Sequence, residues 1–211
     1  MKKIILASSS PRRKEILERN GINFEVVIPS CEEKKIVGEK YSEELVNDCA
    51  ITKAKAVYEK IVKENAQGNE GLYLADETSN TNNANIIVSC DTVVVNDGII
   101  VGKPKDENDA VKTLKLLSGK THVVASSVCV MKDGDIKVTH EITKVTFRKI
   151  DDGEIKDYIA RCKPLDKAGS YGIQDPGFDF AIKVDGEIDN VIGFPMKAFN
   201  KLIKEYGMSD Y

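Results

Sequence analysis

The sequence predicts a mixed α/β fold in which helices flank one twisted β-sheet. Short apolar runs alternate with helical patterns, and Asp-Gly pairs mark several tight hairpins. Because strands and helices are interspersed and some strands pair as hairpins, we expect a mixed sheet rather than a purely parallel one. At 211 residues the chain has the length of one large domain, and residues 1–211 are expected to form it.

The first elements follow from apolar periodicity and from Pro and Gly positions. Residues 4–7 are an apolar run typical of a buried strand. Residues 11–20 are predicted to be a helix, with Pro11 at its first position and Gly21 just beyond its end. Residues 22–28 alternate in the manner of a second strand.

A long helix and an unusual polar segment come next. Ser42 is placed to cap a helix that runs to about Lys63 and buries a stripe of small and apolar residues. Between residues 64 and 85 the composition changes to Asn, Gly and acidic residues with few core formers. We therefore predict a flexible surface insertion at 64–85.

The core resumes at residues 86–88, a short buried strand that is predicted to end in the polar residues 89–92. Residues 93–101 then form a hairpin that turns at Asp97-Gly98. The same criteria predict a helix at 106–117, antiparallel strands at 122–131 and 137–149, a helix at 151–161, a hairpin of strands 178–184 and 188–192, and a C-terminal helix after residue 195.

Charge and hydropathy exclude two kinds of partner. The formal net charge of −3 provides no general attraction to nucleic acid or anionic membranes, so an anion site must be a local cluster of Lys and Arg. No apolar run approaches the roughly 20 residues of a membrane span. The N-terminal apolar run leads into Arg12-Arg13 rather than a cleavage site. We therefore expect a cytoplasmic protein without a nucleic-acid or membrane partner.

Cysteine and histidine usage narrows the possible chemistry. The five cysteines are scattered and never form a C-x-x-C pair, which argues against a disulfide framework and a thiolate zinc site. His122 and His140, the only two histidines, lie in alternating segments without a spaced metal-binding partner. Catalysis must then depend on carboxylates, lysines and arginines.

The opening segment, residues 2–13, is the strongest candidate for an anion site. Three serines, Pro11 and the pair Arg12-Arg13 directly follow a buried strand, so hydroxyls, free helix N–H groups and guanidinium groups are expected to converge. Cations at a helix N-terminus cost stability, which a bound anion would offset. On spacing alone, two solvent-facing arginines are an equally good explanation.

Two familiar phosphate-binding motifs do not apply. Residues 118–121, Ser-Gly-Lys-Thr, have the ending of a P-loop, but Leu114 stands where the required glycine should be. The tetrapeptide also follows a helix instead of preceding one, so it is predicted to be a helix stop. No G-x-G-x-x-G follows a strand, which leaves a dinucleotide-binding fold unsupported.

Other polar residues have both a functional and an ordinary explanation. Asp91-Thr92 at a predicted strand end is a common catalytic position, and a turn-capping Asp is the plain alternative. Lys103 lies on a rigid Gly-Lys-Pro turn, which suits a functional lysine, but an ordinary exposed lysine explains it as well. For Lys53 and Glu33, spacing does not distinguish a functional residue from a charged residue on a solvated surface. Ile173 and a glycine-rich turn are expected to bury the amide of Gln174, which would need partners.

Taken together, five blocks resemble the Maf family of nucleoside triphosphate pyrophosphatases, in the family's order and over nearly the whole chain. The blocks are LASSSPRRKEIL, CDTVVV with GKP, LSGKTH, PLDKAGSYGIQ and NVIGFP. Residues 64–85 have no counterpart and resemble an insertion before the catalytic strand. Ser89-Cys90 replaces the usual Gly-Ala, and both residues are small enough to keep the backbone path.

The resemblance implies a fold of two lobes around a substrate cleft, like that of inosine triphosphatases, and a homodimer. It also implies hydrolysis of a nucleoside triphosphate between its α and β phosphates with a divalent cation, Mg²⁺ or Mn²⁺. The implied roles are Asp91 as proton acceptor and metal contact, Glu33 as metal carboxylate, and Ser8, Arg12, Lys53 and Lys103 as groups that hold the triphosphate, the two lysines being catalytic.

Within the family, the branch that acts on dTTP and UTP has Arg, Thr and Gln at three specificity positions, which here are Arg13, Thr92 and Gln174. A glutamine amide matches the N3–H donor and adjacent carbonyl of thymine or uracil, but a flipped amide matches cytosine equally well. Two other hypotheses are a nucleotide-binding regulator of septum formation and a nucleotide-free structural protein. The basic pair at the helix start argues against the second of these.

Overall fold

The computed structural model describes residues 4–32, 34–66 and 85–208. The strands in this part of the chain are β1 (Ile4–Leu6), β2 (Phe24–Val26), β3 (Ile86–Asn96), β4 (Ile99–Val101), β5 (Thr121–Lys132), β6 (Asp135–Phe147) and β7 (Ala181–Asp185). The helices are α1 (Pro11–Arg19), α2 (Glu43–Ala66), α3 (Glu107–Leu117), α4 (Asp152–Cys162), α5 (Ile188–Ile192) and α6 (Met196–Glu205), with short 3₁₀ helices at Pro164–Asp166 and Ala168–Ser170. No helix within these residues is long and apolar enough to span a bilayer.

The described strands form one mixed sheet, which confirms the predicted fold class. Its order is β2-β1-β3-β5-β6-β7, and β4 pairs with β3 beside this path. Strand β1 is parallel to both β2 and β3, and every other pair is antiparallel. Helix α1 connects the parallel neighbours β1 and β2, and α2 lies in the connection from β2 to β3, which are separated in the sheet by β1.

Helices cover both faces of the central strands. Because side chains alternate along a strand, Ile4 and Leu6 of β1 face α1 and α6, whereas Ile5 and Ala7 face α2. The far halves of β3 and β5 pack instead with α3, α4 and the last residues of β6. Strands β3 and β5 thus take part in both packing regions.

Strand β3 is longer than the sequence predicts. The strand does not end at residues 89–92 but continues to Asn96, because β5 pairs with it without interruption from Ile86 to Val95. It ends at the predicted hairpin, where Asp97 and Gly98 have φ values of 50° and 80°. Asp91 and Thr92 therefore lie in the middle of a central strand, not at its end.

The segment 188–192 is also different from the prediction, because it is helix α5 and not the second strand of a hairpin. Strand β7 pairs with β6 instead. The amide of the fully buried Asn190 donates to the carbonyl of Val124 (3.1 Å) and to Thr143 Oγ1 (3.0 Å). These bonds attach helix α5 to the neighbouring strands β5 and β6. Local apolar periodicity does not reveal such long-range contacts.

The remaining elements confirm the prediction to within a few residues. Ser42 Oγ accepts from the Leu45 N–H (3.4 Å) at the start of α2. This helix continues through residues 64–66, so the predicted insertion can begin only later. Of the rest of that predicted segment, residues 67–84 lie outside the described residues, and Asn85 is buried.

His122 is buried in an aromatic cluster that connects β5 to the turn after the second 3₁₀ helix. Its Nε2 lies 2.8 Å from the hydroxyl of Tyr171, and its ring meets that of Phe147 edge to face at 4.8 Å. Burial lowers the pKa of His122 from its ordinary value of 6.5 to about 4. The folded protein therefore holds this imidazole neutral, whereas the unfolded chain protonates it below pH 6.5.

Stability is expected to depend on pH through this residue. Above pH 6.5 His122 is mostly neutral in both the folded and the unfolded state, so its lowered pKa has little effect on the free energy of unfolding. Below pH 6.5 the unfolded chain is stabilised by protonation, and the resulting loss of stability grows as the pH falls towards 4, reaching about 2 kcal/mol at pH 5. Urea unfolding at pH 7 and pH 5 should therefore show a smaller loss in His122→Gln than in the wild type. His140→Gln is the matched control, because His140 is partly exposed beside Glu43. Equal pH slopes in the wild type and His122→Gln would contradict the prediction.

Candidate active site

Two adjoining cavities form the cleft. The larger one, about 350 Å³, lies against α2, β3 and the segment after β1. The smaller one, about 100 Å³, lies beside the turn that contains Gln174. Arg13, Thr92, Lys103 and Ala168 line both cavities. A ligand with a polyanionic end and a planar end would have a separate space for each.

Asp91 and Lys53 form an ion pair at the wall of the larger cavity. Helix α2 places the Lys53 ammonium directly on Asp91 Oδ1, and the side chains are only 12% and 16% exposed. Nearby Cys49 is buried, and burial together with the charge of Asp91 raises the pKa of its thiol to about 11. The thiol therefore stays protonated at neutral pH.

Arg13 connects three parts of the chain at the junction of the cavities. Its Nε donates to the carbonyl of Gly193 (2.9 Å), Nη1 donates to Ser8 Oγ (3.2 Å), and Nη2 lies 3.5 Å from Thr92 Oγ1. Thr92 Oγ1 also lies 2.8 Å from Ser126 Oγ. The predicted specificity residues Arg13 and Thr92 thus touch each other, and the arginine fork is held in a defined direction.

The start of α1 retains unneutralised positive character. Ser8 is buried, and its Oγ accepts from the Ser10 N–H (3.1 Å) while also meeting Arg13. The helix has no acidic residue in its first turn, and the Ser10 side chain makes no capping bond within the described residues. Such a helix end favours an anion.

Arg12 does not join Ser8. Its guanidinium donates to Asp166 Oδ2 (2.6 Å), and the pair lines the smaller cavity. Burial alone would raise the pKa of Asp166, but the hydrogen bond and charge of Arg12, together with the charge of Lys167, hold it below its ordinary value. Of the two guanidinium groups that were predicted to converge with the serines, only that of Arg13 contacts Ser8, although both arginines line the smaller cavity.

Lys103 is exposed, and the neighbouring Gly102 attaches its segment to the rest of the protein. A Cβ on Gly102 would lie 2.2 Å from Val37 Cγ2, so a larger residue would have to displace the Val37 side chain. The Gly102 carbonyl accepts from the Gly169 N–H (3.0 Å), which joins the Lys103 segment to the second 3₁₀ helix. Lys34 and Lys35 line the larger cavity as well, so that wall is rich in cations.

Gln174 lines the smaller cavity with its side chain exposed. The expectation of a buried amide is wrong, because the turn projects the residue into the cleft. Glu33 lies outside the described residues, but its neighbour Glu32 lines the larger cavity. In the described ranges no group of three or more His, Cys, Asp or Glu side chains is arranged as a metal site.

Three contributors to the site were missed by sequence reasoning. Ser126 supports Thr92, the Gly193 carbonyl anchors Arg13, and Asp166 holds Arg12. A signal existed for Ser126, since a Ser-Ser pair interrupts the apolar run of residues 123–131 in strand β5. A backbone carbonyl leaves no mark in a sequence, so the role of Gly193 could not have been found in this way.

The fold and cleft define an α/β protein whose central strand presents one carboxylate to a cavity lined by lysines and arginine, an arrangement suited to a phosphorylated ligand. Residues 3–206 match the model of a family described as Maf-like protein. The chain belongs to this Maf family, as the five sequence blocks predict.

Full-length relatives support the same assignment. A protein from Dictyoglomus turgidum (strain DSM 6724 / Z-1310) is 39% identical over 210 residues, which cover 99% of this chain and 98% of the relative. One from Clostridium botulinum (strain Eklund 17B / Type B) is 40% identical over 205 residues, 96% of this chain and 98% of the relative. One from Acetivibrio thermocellus is 38% identical over 211 residues, with 99% and 98% covered. All three are named dTTP/UTP pyrophosphatase.

Proposed function

We propose that this protein hydrolyses nucleoside triphosphates between the α and β phosphates, releasing the monophosphate and pyrophosphate, with dTTP and UTP preferred. The observation that carries the proposal is the ion pair of Asp91 and Lys53 in a cavity that Arg13 and Lys103 also line. The shared name of the relatives, dTTP/UTP pyrophosphatase, supports pyrimidine nucleotides as substrates.

In this proposal Asp91 is the general base. Its carboxylate accepts a proton from water while the water oxygen attacks the α phosphorus, and the bond from that phosphorus to the bridging oxygen breaks. Pyrophosphate leaves with the bonding electrons, and Lys53, Lys103 and Arg13 stabilise the charge that develops on it. Lys53 also orients the carboxylate by direct contact. Ser8 and the open end of α1 are further phosphate contacts in this proposal.

The donor set of the larger cavity fits a divalent cation. Asp91 and Glu32 are acidic residues that line this cavity, and Mg²⁺ in nucleotide sites takes one or two carboxylates with phosphates and water as the other ligands. Glu33 is the predicted second carboxylate, although it lies outside the described residues. When bound, Mg²⁺ or Mn²⁺ would supply charge neutralisation at the phosphates.

A screen for pyrophosphate release tests the proposal directly. Standard and modified nucleoside triphosphates are supplied with Mg²⁺, with Mn²⁺ or with a chelator. We expect dTTP and UTP to give the highest kcat/KM, and the chelator to abolish turnover. A protein that binds these nucleotides without releasing pyrophosphate would instead support the regulator of septum formation, and one that binds none would support a structural role.

Base selection is expected to depend on Gln174. The Gln174→Glu change replaces the amide donor by an acceptor, so pairing with the edge of uracil or thymine is altered while the phosphate contacts remain. We expect the ratio of kcat/KM for UTP to that for CTP to shift by about ten-fold, the effect of roughly one hydrogen bond to a charged group. An unchanged ranking of bases would count against a base-reading role.

Two further predictions concern the oligomeric state and the cellular location of the protein. A homodimer is expected from the family resemblance, and light scattering of the purified protein tests it. A cytoplasmic location is expected from the sequence, and cell fractionation tests that expectation.

A further inference from the structure

The residue proposed to select the base lies on a turn that its own side chain does not stabilise. The Asp175 N–H donates to the Gly172 carbonyl (3.0 Å), which closes a four-residue turn with Gln174 at its third position. The Gln174 amide makes no hydrogen bond to the part of the chain that the structure describes. The backbone of the turn therefore determines where the Gln174 side chain is attached, and with it the region that the amide can reach.

Both ends of the turn are held by one hydroxyl group. Tyr158, on α4, accepts a hydrogen bond from the Gly172 N–H (2.9 Å) and donates one to Asp175 Oδ2 (2.5 Å). Burial raises the pKa of Tyr158, and the bond to Asp175 raises it further, so the phenol keeps the proton that it donates. The ring is fully buried and packs edge to face on Phe178 (4.9 Å) and Phe180 (5.0 Å).

The neighbourhood of Asp175 leaves the turn little freedom. A Cβ on Gly172 would lie 2.6–2.8 Å from the Asp175 carboxylate, so the close approach requires glycine. Lys167 Nζ lies 3.6 Å from Asp175 Oδ2 and 3.4 Å from Asp166 Oδ1, and Asp166 binds Arg12. A continuous chain of polar contacts thus connects Arg12 on α1 to the hydroxyl of Tyr158.

We propose that Tyr158 is a positioning residue for base selection, because its hydroxyl holds the turn that aims Gln174 into the smaller cavity. The inference rests on the proposed function, in which Gln174 contacts the base. A rigid turn restricts the amide to directions that suit one base edge, whereas a loose turn lets the amide adapt to several. Tyr158 itself lines neither of the two cavities.

Removing the hydroxyl while keeping the ring is the direct test. In Tyr158→Phe the ratio of kcat/KM for UTP to kcat/KM for CTP should fall by about three- to ten-fold, the worth of one or two hydrogen bonds. The kcat for UTP should change by less than about two-fold, since the groups around Asp91 are untouched. Tyr206→Phe is the matched control, because the Tyr206 hydroxyl bonds the carbonyls of Val130 and Asp135, and Tyr206 lines neither cavity.

The outcomes separate this inference from the proposed function. A wild-type protein that releases no pyrophosphate from UTP, or that does not discriminate UTP from CTP, overturns the proposed base selection and the positioning role with it. A wild type that discriminates, with Tyr158→Phe showing the same ratio, overturns the positioning role alone. Asp175→Ala keeps the test decisive if Tyr158→Phe fails to fold. It removes the carboxylate that accepts the Tyr158 hydrogen bond, from a side chain that is 15% exposed, and it should lower the UTP to CTP ratio of kcat/KM by a similar factor.

Discussion

Asp91→Asn is expected to reduce pyrophosphate release from dTTP by about a hundred- to ten-thousand-fold, the range for loss of a general base. Asparagine has the same size as aspartate, but its amide cannot accept the proton of the attacking water. Nucleotide binding should largely survive, because the phosphate contacts from Arg13 and Lys103 do not depend on this carboxylate. Rapid-quench measurement of pyrophosphate together with equilibrium binding of dTTP separates the two steps.

The control for this variant is Asp97→Asn. Asp97 directly follows the same strand in an exposed hairpin outside the two cavities, and asparagine tolerates its positive φ of 50°. The free energy of unfolding is measured for both variants, because Asp91→Asn removes the negative charge that contacts the largely buried Lys53. Full activity in a folded Asp91→Asn protein would refute the assignment of the base.

Arg13→Lys is expected to lower kcat/KM for dTTP by about a hundred- to a thousand-fold, comparable with loss of a donor that stabilises the transition state. Lysine keeps the charge but is a point donor, whereas the guanidinium fork reaches Gly193, Ser8 and Thr92 simultaneously. The lysine variant therefore loses the orientation of the cation rather than its sign. Steady-state kinetics with dTTP and CTP show whether the loss is general or depends on the base.

Arg19→Lys is the matched control, because Arg19 lies on the same helix and makes an exposed ion pair with Asp189. Exposed pairs contribute at most about 1 kcal/mol, so this variant should retain wild-type kinetics. If Arg13→Lys also kept wild-type kcat/KM, the fork would have no role in turnover, and the contact with Thr92 would be structural only.

Local chemistry allowed most elements to be predicted. Asp106 caps α3 through its bond to the Asp109 N–H (2.8 Å), and Asp133-Gly134 turns β5 into β6 with φ values of 50° and 83°. Both features depend on residues within a few positions of each other, so spacing alone is sufficient to find them. Residues 188–192 behave differently, because apolar positions in a five-residue segment suit a strand and a helix equally well.

The contacts of the site could not be derived from spacing. Lys53, Lys55 and Lys60 share helix α2, and only the packing of that helix against β3 brings Lys53 onto Asp91, 38 positions away. The same holds for Arg12 and Asp166, which are 154 positions apart. Family resemblance named Lys53 and Arg12 as site residues, but it did not predict which group each one meets.

The sequence by itself determined the mixed α/β class, the hairpin turns at Asp97-Gly98 and Asp133-Gly134, the anion-favouring start of α1 and membership of the Maf family. Each of these depends on neighbouring residues or on motifs that persist as strings. Only the tertiary structure decided that Asp91 lies mid-strand, that Arg13 rather than Arg12 meets Ser8, and that Tyr158 holds the turn of Gln174. Those features depend on long-range strand register and helix packing, which bring together residues that no local pattern connects.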